Sequence, residues 1–313
     1  MTPAVAYFTY RRYLNPMASL SSSAFSGKVA LITGAARGIG AQTAREFVAH
    51  GGRVALVGLE PDLLTRLAED LGDAAAWWEA DVRDSAAIAR AIDDAAEHFG
   101  RLDYVLANAG IASYGTVRQI DDAAFERVID ININGVFRTA KHAIPHLQRT
   151  KGYLLVVSSL AAFSNIAGLA PYAASKAGCE SLAVAMRQEV AHLGITVGIC
   201  HPSWIDTDIV RGAENDLPTF KAIRSKLPYP ANSTTSVEEC VDRILTGFAK
   251  RKARVYVPKG VLLANWSKAF VNSPATWPYV RRLTRKTVPQ LEAEVDALGR
   301  YHHSHVPVTD QHS

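Results

Sequence analysis

The chain has no run of about eighteen apolar residues, so nothing in it reads as a helix that crosses a bilayer. Cysteine is scarce. Cys179, Cys200 and Cys240 are odd in number and lack metal-ligand spacing, which excludes a disulfide framework and fits reduced, buried thiols in a cytoplasmic protein. No Pro/Gly/Ser-rich linker divides the 313 residues, of which 48% are hydrophobic and 20% charged, so one large α/β domain is expected. An excess of one charge is also missing. With 34 basic and 30 acidic residues the net charge is +4, and apart from Arg281, Arg282, Arg285 and Lys286 the basic residues are scattered among acids, which excludes a nucleic-acid partner. Residues 1–26 hold no acid, two arginines and several serines, and lack the long apolar core of a secretory signal. They read as a disordered or processed tail, with Met17 as an alternative beginning.

From Lys28 the text becomes strand, glycine turn and helix. Residues 29–32 are continuously apolar, as in a strand buried on both faces of a parallel sheet. Gly34 permits a tight turn, while Gly38 and Gly40 allow backbone and helix N-terminus to approach a pyrophosphate. A second strand over 53–57 leads to Gly58, Leu59 and Glu60. An acid here binds the ribose hydroxyls of NAD, whereas a 2′-phosphate needs a cation. Gly58 at the strand end and Arg37 in the glycine turn favour NADP, and Glu60 keeps NAD open.

A helix is expected over 61–71, a third strand over 75–81, a helix over 85–99 and a fourth strand over 104–107. Asp81 at the third strand's carboxyl end either meets an adenine amino group or caps the following helix. Asn108, Ala109 and Gly110 are small enough for a cofactor to lie against the backbone, or simply form a turn. The stretch 121–149 reads as one long helix. In it Asn132 sits among isoleucines and needs a partner, either a structural hydrogen bond or a held water.

YLLVVSS, the fifth strand, delivers Ser158 and Ser159 to the sheet edge. In the next helix, expected over 170–193, Tyr172 and Lys176 are four apart and share a face. An ammonium near a phenol favours the phenolate and suits the phenol to proton transfer. A sixth strand over 195–200 is broken by Pro202, after which Ile205 and Thr207 are placed to hold a carboxamide. A helix over 237–250 and a strand over 255–258 close the core.

Residues 25–258 resemble a short-chain dehydrogenase/reductase of the simple, single-domain type. The resemblance rests on Thr33-Gly34-x-x-x-Gly38-x-Gly40, Asp81-Val82, Asn108-Ala109-Gly110, Asn132-x-x-Gly135, Ser159 and Tyr172-x-x-x-Lys176, in that family's order. It implies a doubly wound Rossmann-type fold, with a seven-stranded parallel sheet and helices on both faces. The implied catalytic tetrad is Asn132, Ser159, Tyr172 and Lys176. The cofactor contacts implied are Gly34, Arg37, Gly38, Ile39, Gly40, Asp81, Val82, Asn108, Ala109, Gly110, Tyr172, Lys176, Pro202, Ile205 and Thr207. The reaction implied is hydride transfer between NADP or NAD and a secondary alcohol or ketone. In it Asn132 holds a relay water, Ser159 polarises the substrate oxygen and Tyr172 moves the proton. A cofactor-sensing regulator, or an epimerase or dehydratase on the same fold, is the alternative. The family's usual Pro-Gly after the sixth strand is Pro202-Ser203 here.

The resemblance also implies a homo-oligomer, dimer or tetramer, through the helices around Asn132 and Tyr172. It places a substrate lid at 203–233, where Trp204, Ile209, Leu217, Phe220 and Tyr229 suggest a lipophilic substrate. Residues 259–313 go beyond the family pattern. Their apolar residues and basic cluster suit a lid, a subunit interface, a peripheral membrane contact or a helix packed on the core. The terminal His302, His303, His305 and His312 read as part of a disordered end.

Overall fold

A computed structural model describes residues 20–227 and 229–301. The expectations for the first nineteen residues and for the terminal histidines lie outside the described residues. In chain order the strands are β1 (Val29–Thr33), β2 (Arg53–Gly58), β3 (Ala75–Glu79), β4 (Tyr104–Ala107), β5 (Tyr153–Val157), β6 (Thr196–Pro202), β7 (Trp204–Ile205), β8 (Thr234–Thr235) and β9 (Arg254–Val257). Seven form one sheet in the order β3-β2-β1-β4-β5-β6-β9, every pair parallel, and β7 with β8 makes a separate two-stranded ribbon.

Two hydrophobic cores explain why the central strands do not alternate with polar residues. Val29, Leu31, Ala55 and Val57 face α3 (Ser85–Phe99), α5 (Gly135–Thr150) and α6 (Ala170–Glu189). Ala30, Ile32, Val54 and Leu56 face α1 (Gly38–Ala49), α2 (Pro61–Leu71) and α9 (Val237–Ala249). Each face of the sheet is thus covered, as a doubly wound sheet requires. The chain runs outward through β3 and returns to β4 beside β1, opening a crevice at the carboxyl ends of those two strands.

Several expectations change. Phe25 is fully buried and stacks on Phe47 at 4.3 Å between centroids, so order begins before Gly27 and the boundary at 26 is too late. The segment 203–233, expected as a lid with no helix assigned to it, contains α7 (Asp208–Asp216) and α8 (Pro218–Ser225). The stretch 121–149 is helical as expected, running without a break through α4 (Asp122–Ile129), a π turn (Asp130–Asn134) and α5. The helix carrying Tyr172 ends at Glu189, not at 193, and the next turn is 3₁₀. Asp84, not Asp81, caps α3, accepting from Ala86 N at 2.8 Å and Ala87 N at 3.0 Å.

Pro202 does not break β6 but ends it, paired with Val257. Ile199 N and Ser203 N donate toward β9, to Ala253 O and Val257 O, so with period two the missing amide of Pro202 points to the side where β5 has already ended. The segment 259–301 folds as α10 (Val261–Val271) and α11 (Trp277–Leu298). Leu291 and Val295 of α11 pack with Tyr114, Leu169, Leu217 and Phe220 in a third core cluster. Glu294 accepts from Thr219 N and Oγ1, and Arg300 donates to Asp216 at 2.9 Å, which ties α11 to α7 and α8.

A half-buried ion pair joins α6 to the sheet edge. Glu180 accepts from Arg254 Nη1 at 2.8 Å and His201 Nε2 at 3.3 Å, and His201 is fully buried. Burial alone would raise the Glu180 carboxyl, but the bonds from His201 and Arg254 outweigh it and hold its pKa at about 2. Burial lowers His201, partly offset by Glu180. The Glu180 contribution is complete above its ordinary 4.5 and is lost as pH falls toward 2. That of neutral His201 is complete above 6.5 and declines below it. Glu180→Gln is therefore expected to cost about 2 kcal/mol at pH 7, with the difference from the parent protein shrinking between pH 4.5 and 2; urea unfolding at several pH values measures it.

Candidate functional site

The crevice is laced shut at its floor. Thr33 Oγ1, at the end of β1, accepts from Asn108 N at 3.1 Å and Ala109 N at 3.2 Å, and Asn108 Nδ2 donates to Thr33 O and Gly34 O, each at 3.1 Å. A Cβ on residue 40 would lie 2.2 Å from Gly34 O, so only glycine lets the first turn of α1 close on the turn before it. Above this floor is a cavity of about 260 Å³. Gly34, Arg37, Gly38 and Ile39 line one side, Glu60, Asp81 and Val82 the end, Asn108, Ala109 and Gly110 the base, and Thr207, Asp208 and Ile209 the cover. Arg37 is ion-paired with Glu60 and lies 3.8 Å from Asp208. Asp81 is held by Arg83, accepting from its backbone N at 2.8 Å and its Nε at 2.9 Å.

Beside this cavity, Asn132 in the π turn is fully buried. Its Oδ1 accepts from Ile111 N at 2.9 Å, and its Nδ2 donates to Ile111 O at 3.0 Å and Ser175 Oγ at 2.9 Å. Both amide N–H groups are thus used by protein, clamping the loop after β4 to α6. A π turn adds a residue to the helix and re-aims side chains locally, which brings Asn132 to this loop. Lys176 is only 4% exposed, and its Nζ lies 5.6 Å from the centroid of the Tyr172 ring. That Nζ donates to Val157 O at 3.0 Å, its one acceptor among the described residues. An ammonium has three donors, and this one lies beside Gly110, which lines the crevice, so it can donate to a group bound there.

Ser159 follows β5, its Oγ accepting from Ala161 N at 3.1 Å. With Tyr172 it lines a second, smaller cavity of about 70 Å³ whose other walls include Leu160, Leu169, Trp204, Ala213 and Phe220 and no charged residue. The two cavities share Ala112, Tyr114 and Ile209.

The fold therefore gathers Gly34, Arg37, Gly38, Ile39, Asp81, Val82, Asn108, Ala109, Gly110 and Thr207 around one cavity and Ser159 with Tyr172 around the other. Lys176 lies beside Gly110, between them. Pro202 and Ile205 are buried and line neither cavity, and Gly40 acts on the turn from behind. Sequence reasoning missed Tyr114, buried at the junction, whose hydroxyl has no hydrogen-bond partner among the described residues. Burial pushes its phenol well up, so the hydroxyl stays neutral and able to donate. An isolated tyrosine in a loop carries no spacing signal.

A family model described as short chain dehydrogenase matches residues 28–218. Among curated relatives, the cis-4-hydroxycyclohexanecarboxylate dehydrogenase of Sinomonas cyclohexanicum is 37% identical over 208 residues, covering 65% of this chain and 84% of the relative. The (-)-trans-carveol dehydrogenase of Rhodococcus erythropolis is 35% identical over 203 residues, covering 59% and 73%. A crystal structure of 3-ketoacyl-(acyl-carrier-protein) reductase from Brucella melitensis complexed with NADH superposes with a TM-score of 0.65 at 25% identity, covering 74% of this chain and 97% of that one.

Proposed function

The chain belongs to the short-chain dehydrogenase family, and from that premise we propose that it interconverts a neutral, lipophilic secondary alcohol and its ketone, with NAD preferred over NADP. The observation that carries the reading is the meeting of two cavities, one built on the glycine turn and the other an uncharged pocket walled by Ser159 and Tyr172. The glycine turn, Lys176 and the residues from Asn108 to Gly110 would hold the cofactor, which when bound supplies the hydride donor or acceptor.

Tyr172 gives its hydroxyl proton to the substrate oxygen in reduction and takes it back in oxidation. Ser159 donates a hydrogen bond to the same oxygen and favours the charge that develops there. Lys176 stabilises the phenolate left on Tyr172 and reaches the crevice with its two remaining donors. The three bonds of Asn132 to protein support a positioning role, fixing the Ile111 loop and, through Ser175, the first turn of α6.

The sequence favours NADP because Gly58 ends β2, but the Arg37–Glu60 pair supports the opposite order. Glu60 and Asp208 surround one guanidinium, and a 2′-phosphate brought there would face two carboxylates. A ribose diol would instead donate to Glu60. The substrate reading follows from the second cavity, whose lining has no cation for a carboxylate and suits a neutral alcohol, the class that the carveol dehydrogenase relative is named for. Exposed Phe125 and Phe137, on α4 and α5, support a homo-oligomer through these helices, and three free, buried cysteines support a cytoplasmic setting.

Steady-state kinetics on neutral cyclic alcohols and their carboxylated analogues, with each cofactor, test the proposal. NAD with a neutral alcohol should give the highest kcat/KM, and Glu60→Ala should move the NADP/NAD ratio toward NADP by about 10–100-fold, the worth of one charge-assisted hydrogen bond. A parent protein that prefers NADP, or a carboxylated substrate, would overturn the respective assignment.

A further inference from the structure

We propose that α10 and the beginning of α11 form a docking surface for an anionic lipid bilayer, on which the protein rests without crossing it. Val261 anchors α10 against Leu160, Phe163 and Ala231. Away from that anchor the helix presents Leu263, Trp266 and Phe270, which are 60%, 74% and 66% exposed. Their spacing of three and four residues puts them on one face. Val271, Trp277 and Tyr279 continue the exposed apolar surface. Half of the exposed large hydrophobic side chains among the described residues thus fall between Leu263 and Tyr279. A concentration of this kind marks an interaction surface, and tryptophan and tyrosine are the residues favoured at the lipid headgroup level.

Charge selects the partner. No Asp or Glu occurs between Asp242 and Glu292, a stretch with eleven Lys and Arg, while in the rest of the chain acids outnumber bases by 30 to 23. Lys268 lies within α10, and Arg281, Arg282, Arg285 and Lys286 occupy the first turns of α11. Aromatic side chains rimmed by cations with no anion among them match an anionic lipid surface. A second copy of this chain fits poorly, because a two-fold contact would bring the same cations together. Single-stranded nucleic acid also fits less well, since Leu263 and Val271 offer no ring for a base to stack on.

The surface lies beside the uncharged cavity. Asn272 Nδ2 donates to Phe163 O at 3.5 Å and Lys268 Nζ is 5.4 Å from the Phe163 ring centroid, while Leu160, Ala161 and Ser164, next to Phe163 in the chain, line that cavity. A bilayer seated on α10 would thus adjoin the pocket. The docking surface does not depend on the proposed reaction.

Co-sedimentation of the full chain with phosphatidylcholine vesicles, with and without phosphatidylglycerol, tests the assignment, alongside light scattering of the free protein and titration with a single-stranded oligonucleotide. Binding is expected only with phosphatidylglycerol present and should weaken as salt is raised. Arg281→Ser and Arg282→Ser should each weaken it about fivefold, and the double variant Trp266→Ser/Phe270→Ser should abolish it while leaving cofactor affinity unchanged. Failure of the parent protein to bind anionic vesicles at low salt overturns the proposal. So does binding that the double variant retains, or a variant that changes only the oligomeric state or only oligonucleotide binding.

Discussion

Replacing Tyr172 with phenylalanine is expected to lower kcat by about 10²–10⁴-fold, the range over which a positioned acid or base contributes. The substitution removes one hydroxyl and leaves the ring where it is, half-buried in the first turn of α6, 5.6 Å from the Lys176 ammonium. No hydrogen bond within the protein is lost through that hydroxyl among the described residues, so thermal stability should stay close to that of the parent. Cofactor affinity should change little, because the glycine turn, Asn108 and Lys176 are untouched. The informative pattern is a large fall in kcat with unchanged cofactor binding, read by stopped-flow turnover and by fluorescence titration. Near-full turnover in the variant would remove Tyr172 from the chemistry.

The second large effect is expected far from that hydroxyl. Leu291 of α11 is buried and fits against Gly168, where a Cβ would come within 2.5 Å of its Cδ2 and where φ of +87° independently favours glycine. Its neighbours Tyr114, Leu169 and Phe220 are also walls of the uncharged cavity. Leu291→Ala should cost about 2–5 kcal/mol of local packing, and the loss falls on the docking of α11. KM for the alcohol should rise at least about tenfold, with a smaller loss of affinity for the cofactor. Isothermal titration with each ligand separates the two. Equal losses for both ligands would show that α11 supports the whole fold and not the pocket wall.

Much of this arrangement can be read in the amino-acid sequence because steric demand leaves few alternatives. Residue 40 must be glycine for α1 to begin where it does, and a run such as Val29 to Ile32 without a polar residue has no place except between two covered faces. Tyr172 and Lys176 share a side of α6 because helical geometry puts them there. What resisted reading depends on contacts distant in the chain. The π turn at Asn132 is stabilised by the Ile111 backbone, and nothing within 121–149 announces it. Helices α7 and α8 are short, with Pro218 between them, and are held by Glu294 of α11 and by Arg300 just beyond it, which reach them from about eighty residues away. Arg37 reads as a free cation in its loop until the fold sets Glu60 against it.

The helix α7 is a wall common to both cavities: Ile209 lines each of them, Asp208 faces the larger, and Val210 and Ala213 face the smaller. A displacement of this one short helix therefore alters the affinity for both ligands at once. Thermodynamic reciprocity then requires that whatever factor the first ligand adds to the binding of the second, the second returns to the first. The coupling between the two ligands thus runs through a helix of nine residues.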